Sequence, residues 1–378
     1  MVKVEPPERS TAPEPVWRPE ALTADWLTAC LRSAGALRSG AVTDFTVEPV
    51  GTGQMGDSFR LRLDLTPDAE GATRTVVGKF TAADEQSRST GVSMRTAEVE
   101  VRFYQQVAPT LPARTPACYY AEVDPATARF VLILEDLAPR QPGDQVRGCT
   151  ADEAAVALEE LAKVHAPRWA DPALERLEWL NRRDPQSLEF LASIFPSLWT
   201  GFVERYAGRL PDQVVRVGDA FFPHIAEYLL RQDGPRTVQH ADYRVDNLLF
   251  GGPLDSTLDS PLDSPLAIVD WQTVTLGQAA ADLSYFLGGS IDVDARRRHE
   301  DELVHGYFDV ALGHGVSGYD FDDLWRDYRR HAFSGLVMAV GAAMMVARTD
   351  RGDDMFLVMA QRAAAHVEDM GAQDFLGD

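Results

Sequence analysis

The segment TVQHADYRVDNLLFGG, residues 237–252, gathers His240, Asp242, Arg244 and Asn247 into one short stretch of a chain that holds only eight histidines. A carboxylate beside an incoming hydroxyl orients it and accepts its proton, and Asp242 is the residue expected to do this. Asn247 and Asp270 form the second element of chemistry. NLLFG and LAIVD read as two short strands that each end in a polar residue, so the two residues should come to lie side by side. An amide oxygen and a carboxylate are hard donors suited to Mg²⁺, which takes a few protein oxygens and completes its shell with phosphates and water. Arg244 is placed to reach a transferred phosphoryl group, while His240 is expected to be a buried hydrogen-bonding residue that holds the loop. Such a set suits phosphoryl transfer, where positioning and charge neutralisation do most of the work.

A second group of residues lies upstream. GTGQMG fits G-x-G-x-x-G through Gly51, Gly53 and Gly56, a pattern that an ordinary glycine turn also satisfies. A dinucleotide-binding loop would run into a helix, whereas this one runs into an alternating strand. Strand, loop, strand is the setting of a flap whose backbone N–H groups approach the phosphates of ATP with no Cβ in the way. Lys79, on the next strand but one, is then either an exposed lysine or the partner of the α- and β-phosphates. A half-buried ammonium needs a counter-charge. Glu100 on the following helix is the first candidate and Glu98 the second, because sequence does not fix the helix rotation.

These residues need elements to hold them. VTDFTVEPV and DSFRLRLDL read as strands flanking the glycine loop, with Phe59, Leu61, Leu63 and Leu65 alternating against polar residues. RTVVGKFT is a third strand in which Val77 and Lys79 share one face and Val76 and Phe80 the other. Residues 93–107 have helical spacing, with Val99, Phe103 and Val107 on one stripe. ACYYAEV and RFVLILE complete a five-stranded sheet carrying one helix. After the Pro- and Gly-containing DLAPRQPGDQV, helical patterns dominate: a helix opened by a Thr150/Glu153 capping box, then about 187–206, 211–232, 294–313 and 320–347. The expected organisation is a tail over 1–20, a sheet-bearing lobe over 21–134, a connector over 135–148 and a helical lobe over 149–378. Residues 253–266 repeat Pro-Leu-Asp-Ser and should form a flexible surface loop.

Composition excludes several classes. The 378 residues exceed what one hydrophobic core usually serves, and 45% hydrophobic with 25% charged residues is ordinary for a globular protein. A formal net charge of -22, from 36 basic and 58 acidic residues, repels nucleic acid and anionic membrane surfaces. Cys30, Cys118 and Cys149 are far apart with no C-x-x-C pair, as expected in a reducing cytoplasm. The polar, proline-rich start lacks the apolar core that a signal peptide needs and is expected to be a loose tail. The run AFSGLVMAVGAAMMVA, 332–347, is too short for a membrane span and should be a buried helix. Trp169, Trp179, Trp199 and Trp325 could supply aromatic walls of a substrate pocket or plain core, and core is the expectation.

The order glycine loop, Lys79, Glu100, HADYRVDN, VDW resembles the aminoglycoside and choline phosphotransferase superfamily, and within it the ecdysteroid-kinase-like branch. EVRFYQQVAPTLP, RFVLILEDLAP, GDQVRGC, LAKVHAPRW and IVDWQTVTLGQAAADLSYFLGG each look like segments of that branch, so the likeness spans about residues 45–345. It implies an α+β, two-lobed protein-kinase-like fold with ATP and Mg²⁺ in the cleft, and transfer of the γ-phosphate to a hydroxyl of a small molecule. Asp242 would be the catalytic base, Asn247 and Asp270 the metal ligands, Lys79 the phosphate contact, and Leu134, Glu135, Asp136 and Leu137 the adenine-side hinge. The chain departs from protein kinases at Ala241, where they usually carry Arg, at Trp271-Gln272 in place of Phe-Gly, and at Ser58 in the flap. It also lacks an Ala-Pro-Glu segment; Asp282 lies instead in a stretch that enters a helix. A peptide substrate is therefore disfavoured. A catalytically silent, kinase-like nucleotide-binding protein is the alternative, disfavoured because all four polar positions the chemistry needs are present.

Overall fold

In the computed structural model the described residues are 12–50, 56–71, 73–181, 185–231, 233–251 and 264–377. Gly51 and Gly53 of the glycine loop, residues 1–11 of the expected tail and most of the Pro-Leu-Asp-Ser repeat lie outside them. Two compact units emerge: the residues up to Pro109 with Pro116–Leu137, and Thr110–Thr115 with Ala138 onward.

The first unit begins with α1 (Ala24–Ser33), whose N-cap Thr23 accepts from the Trp26 N–H. There follow β1 (Val42–Pro49), β2 (Gly56–Leu65), β3 (Thr75–Thr81), α2 (Glu85–Met94), α3 (Thr96–Arg102), β4 (Cys118–Asp124) and β5 (Arg129–Glu135). The strands form one antiparallel sheet in the order β1-β2-β3-β5-β4. Along β3, Val76, Gly78 and Phe80 are buried while Val77 and Lys79 on the alternate face are half-buried. The buried face packs with Leu27 and Leu31 of α1 and with Leu61 and Ile133. Helices α1 and α2 come in addition to the one marked in the sequence. That one is also not continuous over 93–107: Arg95 takes a left-handed φ of 56° and ends the preceding helix. After α3 the chain widens into a π turn over Phe103–Val107. The Val99, Phe103 and Val107 stripe survives these breaks and is fully buried.

The second unit comprises β6 (Gln141–Pro142), α4 (Ala151–His165), α5 (Pro172–Glu175), α6 (Pro185–Arg205), α7 (Asp212–Phe221), α8 (Ile225–Leu230), β7 (Thr237–Gln239), β8 (Leu248–Phe250), β9 (Leu266–Ile268), β10 (Thr275–Gly277), α9 (Ala279–Ser290), α10 (Val293–Gly313), α11 (Phe321–Arg330), α12 (Ser334–Met345) and α13 (Asp350–Asp369). The Thr150/Glu153 capping box opens α4 with both reciprocal bonds present. The pattern over 320–347 is interrupted: α11 ends at Arg330 and a 3-10 turn, His331–Phe333, leads into α12. No helix among the described residues is long and apolar enough to cross a membrane. Trp179 and Trp199 are core residues. Trp169 and Trp325 are only half-buried, each beside a tyrosine ring.

Helix α9 lies at the centre of this unit. Its sequence, AAADLSYFLGGS, has no broad polar face, and every one of its residues is buried. Tyr285 joins a cluster with Phe202, Phe222, Leu336, Val340 and Phe356 from α6, α12, α13 and the turn after α7. Gly288 admits the His366 ring of α13 so closely that a Cβ there would overlap Nδ1. His366 is fully buried, with Nε2 3.0 Å from Glu300 Oε1, and Glu300 also receives Arg296 and the Tyr328 hydroxyl. Gly288→Ala is expected to destabilise the protein by about 1–3 kcal/mol through overpacking, measured by denaturant unfolding.

Burial holds the His366 imidazole below its ordinary value of 6.5, in spite of the neighbouring carboxylate. The unfolded chain thus binds a proton here at a pH where the folded chain does not. Residue 366 then lowers stability progressively as pH falls below about 6.5, until the depressed folded value is reached. His366→Gln should flatten the decline of unfolding free energy between pH 7 and pH 5, read from denaturant melts at both pH values.

Candidate active site

The short antiparallel pair β7 and β10 delivers His240 into the loop 240–247. His240 is fully buried, its Nδ1 accepts from the Asp242 N–H at 3.3 Å and its Nε2 faces the Val269 carbonyl at 3.1 Å. Since Nδ1 accepts, Nε2 carries the proton and donates, and the ring holds the loop as its sequence position implies. Ala241 takes a left-handed φ of 63°, a conformation that costs an L-residue about 1–2 kcal/mol. Offsetting bonds come from α9. The Asp282 carboxylate, 1% exposed, accepts from the His240 N–H at 2.6 Å and from the Ala241 N–H at 2.9 Å. It also receives His165 Nε2 at 3.3 Å, and the other ring nitrogen of His165 meets the Tyr307 hydroxyl at 2.7 Å.

Asp242 itself is encircled by donors. Tyr285 Oη donates to Oδ1 at 2.9 Å, Asn247 Nδ2 donates to Oδ2 at 2.9 Å, and Arg244 Nε lies 3.2 and 3.3 Å from the two oxygens. Arg244 is a half-buried guanidinium that also donates through Nη1 to Asp246 and sits against Met355 Sδ of α13. Burial alone would lower its pKa, but Asp242 and then Asp246 outweigh that and raise it. Asp246 in turn accepts from Gln145 N and Arg351 Nη2. Burial would raise its carboxyl, and Arg244 with these donors brings it below its usual value.

Asn247 Nδ2 bonds both the carbonyl and the carboxylate of Asp242, which leaves Oδ1 outside both bonds. Strands β8 and β9 pair Leu248 with Ile268, and the Val269 N–H donates to the Asn247 carbonyl. Asp270 is therefore one residue past the position opposite Asn247. It too takes a left-handed φ, 67°, and its Oδ2 accepts from Gln272 Nε2 at 3.1 Å. Strain of this kind in a non-glycine residue is characteristic of functional sites. The donor set, one amide oxygen and one carboxylate, fits Mg²⁺ with its remaining shell taken from phosphate and water. No group of three or more His, Cys, Asp or Glu able to hold a metal occurs among the described residues.

In the first unit Lys79 Nζ meets Glu100 Oε1 at 2.6 Å and Oε2 at 2.8 Å, with the carboxylate side chain only 3% exposed. Glu98 is instead taken by Arg95 at 2.9 Å. Of the glycine loop, Gly56 is described: it opens β2 and pairs with Thr81, and a Cβ there would crowd the Phe80 carbonyl and the Phe130 ring edge. Leu134 and Leu137 are buried, Glu135 Oε2 accepts from the Ala117 N–H, and Asp136 holds Arg60 in a two-bond pair.

Two residues that contact the loop, Asp282 and Tyr285, were not marked as functional in the sequence. The signal existed: a single acid inside an otherwise apolar helix must be paired, and Tyr285 lies three residues on, on the same face.

This architecture, a five-stranded antiparallel sheet followed by a mainly helical unit, is that of kinase-like phosphotransferases. A solved protein of Ralstonia eutropha JMP134 assigned to the aminoglycoside phosphotransferases superimposes with a TM-score of 0.52 at 16% identity, over 92% of this chain and 98% of that one. The GDP complex of a mutant aminoglycoside 2'-phosphotransferase-IIIa gives 0.49 at 14% identity over 93% and 100%. Choline kinase LicA from Streptococcus pneumoniae gives 0.43 at 13% over 91% and 98%. No curated protein sequence matches the chain significantly. The profile of the ecdysteroid kinase-like family matches residues 51–314, and the chain belongs to that family.

Asp282→Ala should destabilise the second unit by about 3–5 kcal/mol, because it strands buried N–H donors and the His165 ring. Chemical denaturation measures the loss, and faster amide exchange at His240 and Ala241 locates it.

Proposed function

We propose that this protein is an ATP- and Mg²⁺-dependent kinase of a small hydroxylated molecule. The observation that carries the reading is the Asp242–Asn247 pair: one amide fixes a carboxylate through its nitrogen and leaves its oxygen outside both bonds. In the proposed reaction the acceptor hydroxyl approaches Asp242 and its oxygen attacks the γ-phosphorus. A new P–O bond forms as the bond to the bridging oxygen breaks, ADP leaves with that electron pair, and the proton passes to Asp242. Lys79, held by Glu100, meets the α- and β-phosphates. Gly51, Gly53 and Gly56 are assigned to the phosphates, and Leu134–Leu137 to the adenine. Asn247 and Asp270 would hold Mg²⁺, which when bound neutralises phosphate charge. Arg244 keeps its bonds to Asp242 and Asp246, and its Nη2, which neither uses, is assigned to the γ-phosphate. The free state of all three cysteines suits the reducing cytoplasm where ATP is plentiful.

Screening the protein for ADP release against hydroxylated metabolites should find an acceptor. With it, Asp242→Ala is expected to lower kcat by about 10²–10⁴, the contribution of a positioned base, or about 3–5 kcal/mol of barrier. Asp270→Ala should cost at least as much; near-normal turnover with Mg²⁺ as the sole metal would remove Asp270 from the site. Nucleotide binding without turnover on any acceptor would point to the silent protein instead.

A further inference from the structure

Three side chains donate to the Asp242 carboxylate, and they differ in what they are attached to. Arg244 and Asn247 belong to the same loop, so their bonds orient the carboxylate within the loop and travel with it. Tyr285 belongs to α9, and its hydroxyl reaches Oδ1 at 2.9 Å from outside the segment. Its ring is 4% exposed and packed in the main core of the second unit, so the hydroxyl has a fixed origin. Three residues earlier on the same helix, Asp282 holds the N–H groups of His240 and Ala241. One helix thus grips the loop by backbone at two points and by the reacting side chain at a third. A carboxylate on a loop has freedom at χ1 and χ2 that backbone bonds do not remove, and Tyr285 removes it.

We infer that Tyr285 is a positioning residue for phosphoryl transfer: its hydroxyl fixes the rotamer of Asp242 relative to the helical core, so that the carboxylate meets the acceptor hydroxyl in reacting geometry. The inference rests on the assignment of Asp242 as the base. Burial, and next the charge of Asp242, raise the Tyr285 phenol well above its ordinary value, so it stays a donor over the whole working pH range. Misplacement of a reacting group by a fraction of a bond length carries a cost in kcat, with little effect on ground-state binding.

Tyr285→Phe deletes one oxygen and keeps the ring. The probe reaction is Mg²⁺-ATP with water as acceptor, read as ADP release, since it needs no identified substrate. Expected is a fall in kcat of about 10- to 100-fold with the KM for ATP unchanged within about twofold. Tyr206→Phe is the matched control: its hydroxyl bonds the Asp353 carboxylate at 2.8 Å in the same core, and its loss should leave kcat unaltered. In an Asp242→Asn background, adding Tyr285→Phe should lower the residual rate no further, whereas a general structural defect would lower it again. A Tyr285→Phe enzyme with wild-type kcat, or one whose loss persists undiminished in the Asp242→Asn background, overturns the inference while leaving the base assignment standing. Full turnover by Asp242→Asn alone, or no ADP release by the unsubstituted protein with water or with any hydroxylated acceptor, overturns the base assignment and the inference together.

Discussion

The bonds between the Asp282 carboxylate and two consecutive N–H groups support most of what the second unit presents. A buried carboxylate is tolerable only if its charge is met, and here the partners are the backbone of His240 and Ala241 and the ring of His165. Those bonds hold Ala241 in a left-handed conformation it would not otherwise keep, and that conformation sets the direction in which the chain leaves toward Asp242. Asp282 can do this because α9 is immersed in the core. Its small residues let α13 press close, and its lack of a polar face leaves no alternative orientation.

The candidate site was legible where chemistry and periodicity coincide. His240, Asp242, Asn247 and Asp270 stand in one motif and one strand pair, and the β8–β9 register places Asn247 next to the residue before Asp270. Lys79 was assigned to its face by alternation along β3. The choice between Glu98 and Glu100 was not open to sequence, because it turns on where α3 starts. Arg95 breaks the helix with a left-handed residue and then takes Glu98 for itself, which leaves Glu100 to the lysine. Arg244 was read as a phosphate contact from its nearness to Asp242; its second carboxylate partner could not be foreseen, since Asp246 is also held by Gln145 and Arg351 from distant parts of the chain.

Elements that escaped the sequence are those with too little pattern or a misleading one. Strands β7 and β10 have three residues each, TVQ and TLG, and lack the wholly apolar run that marks the equally short β8 and β9. The helical pattern over 320–347 looks like one helix, yet the turn at His331–Phe333 divides it, and there the His331 ring meets the Gln278 amide oxygen at 2.8 Å. Helix α13 carried a readable start, Thr349 as N-cap with Asp350 and Asp353 behind it, but its alanine-rich inner face is a weak hydrophobic signal.

The second unit is not a single run of chain. Thr110–Thr115 belongs to it although Pro116–Leu137 does not, and within that piece the Arg114 carbonyl receives the Ile268 N–H while its own N–H goes to Glu160. Six residues made early in synthesis are thereby stitched beside strand β9, made more than a hundred residues later. A fragment cut at Ala138 would carry every helix of the unit and still be missing a thread of its fabric: Glu160 would keep a buried acceptor without its donor, and β9 would face solvent along one edge. Borders for expressing the helical half by itself follow from this weave rather than from the Leu137–Ala138 boundary.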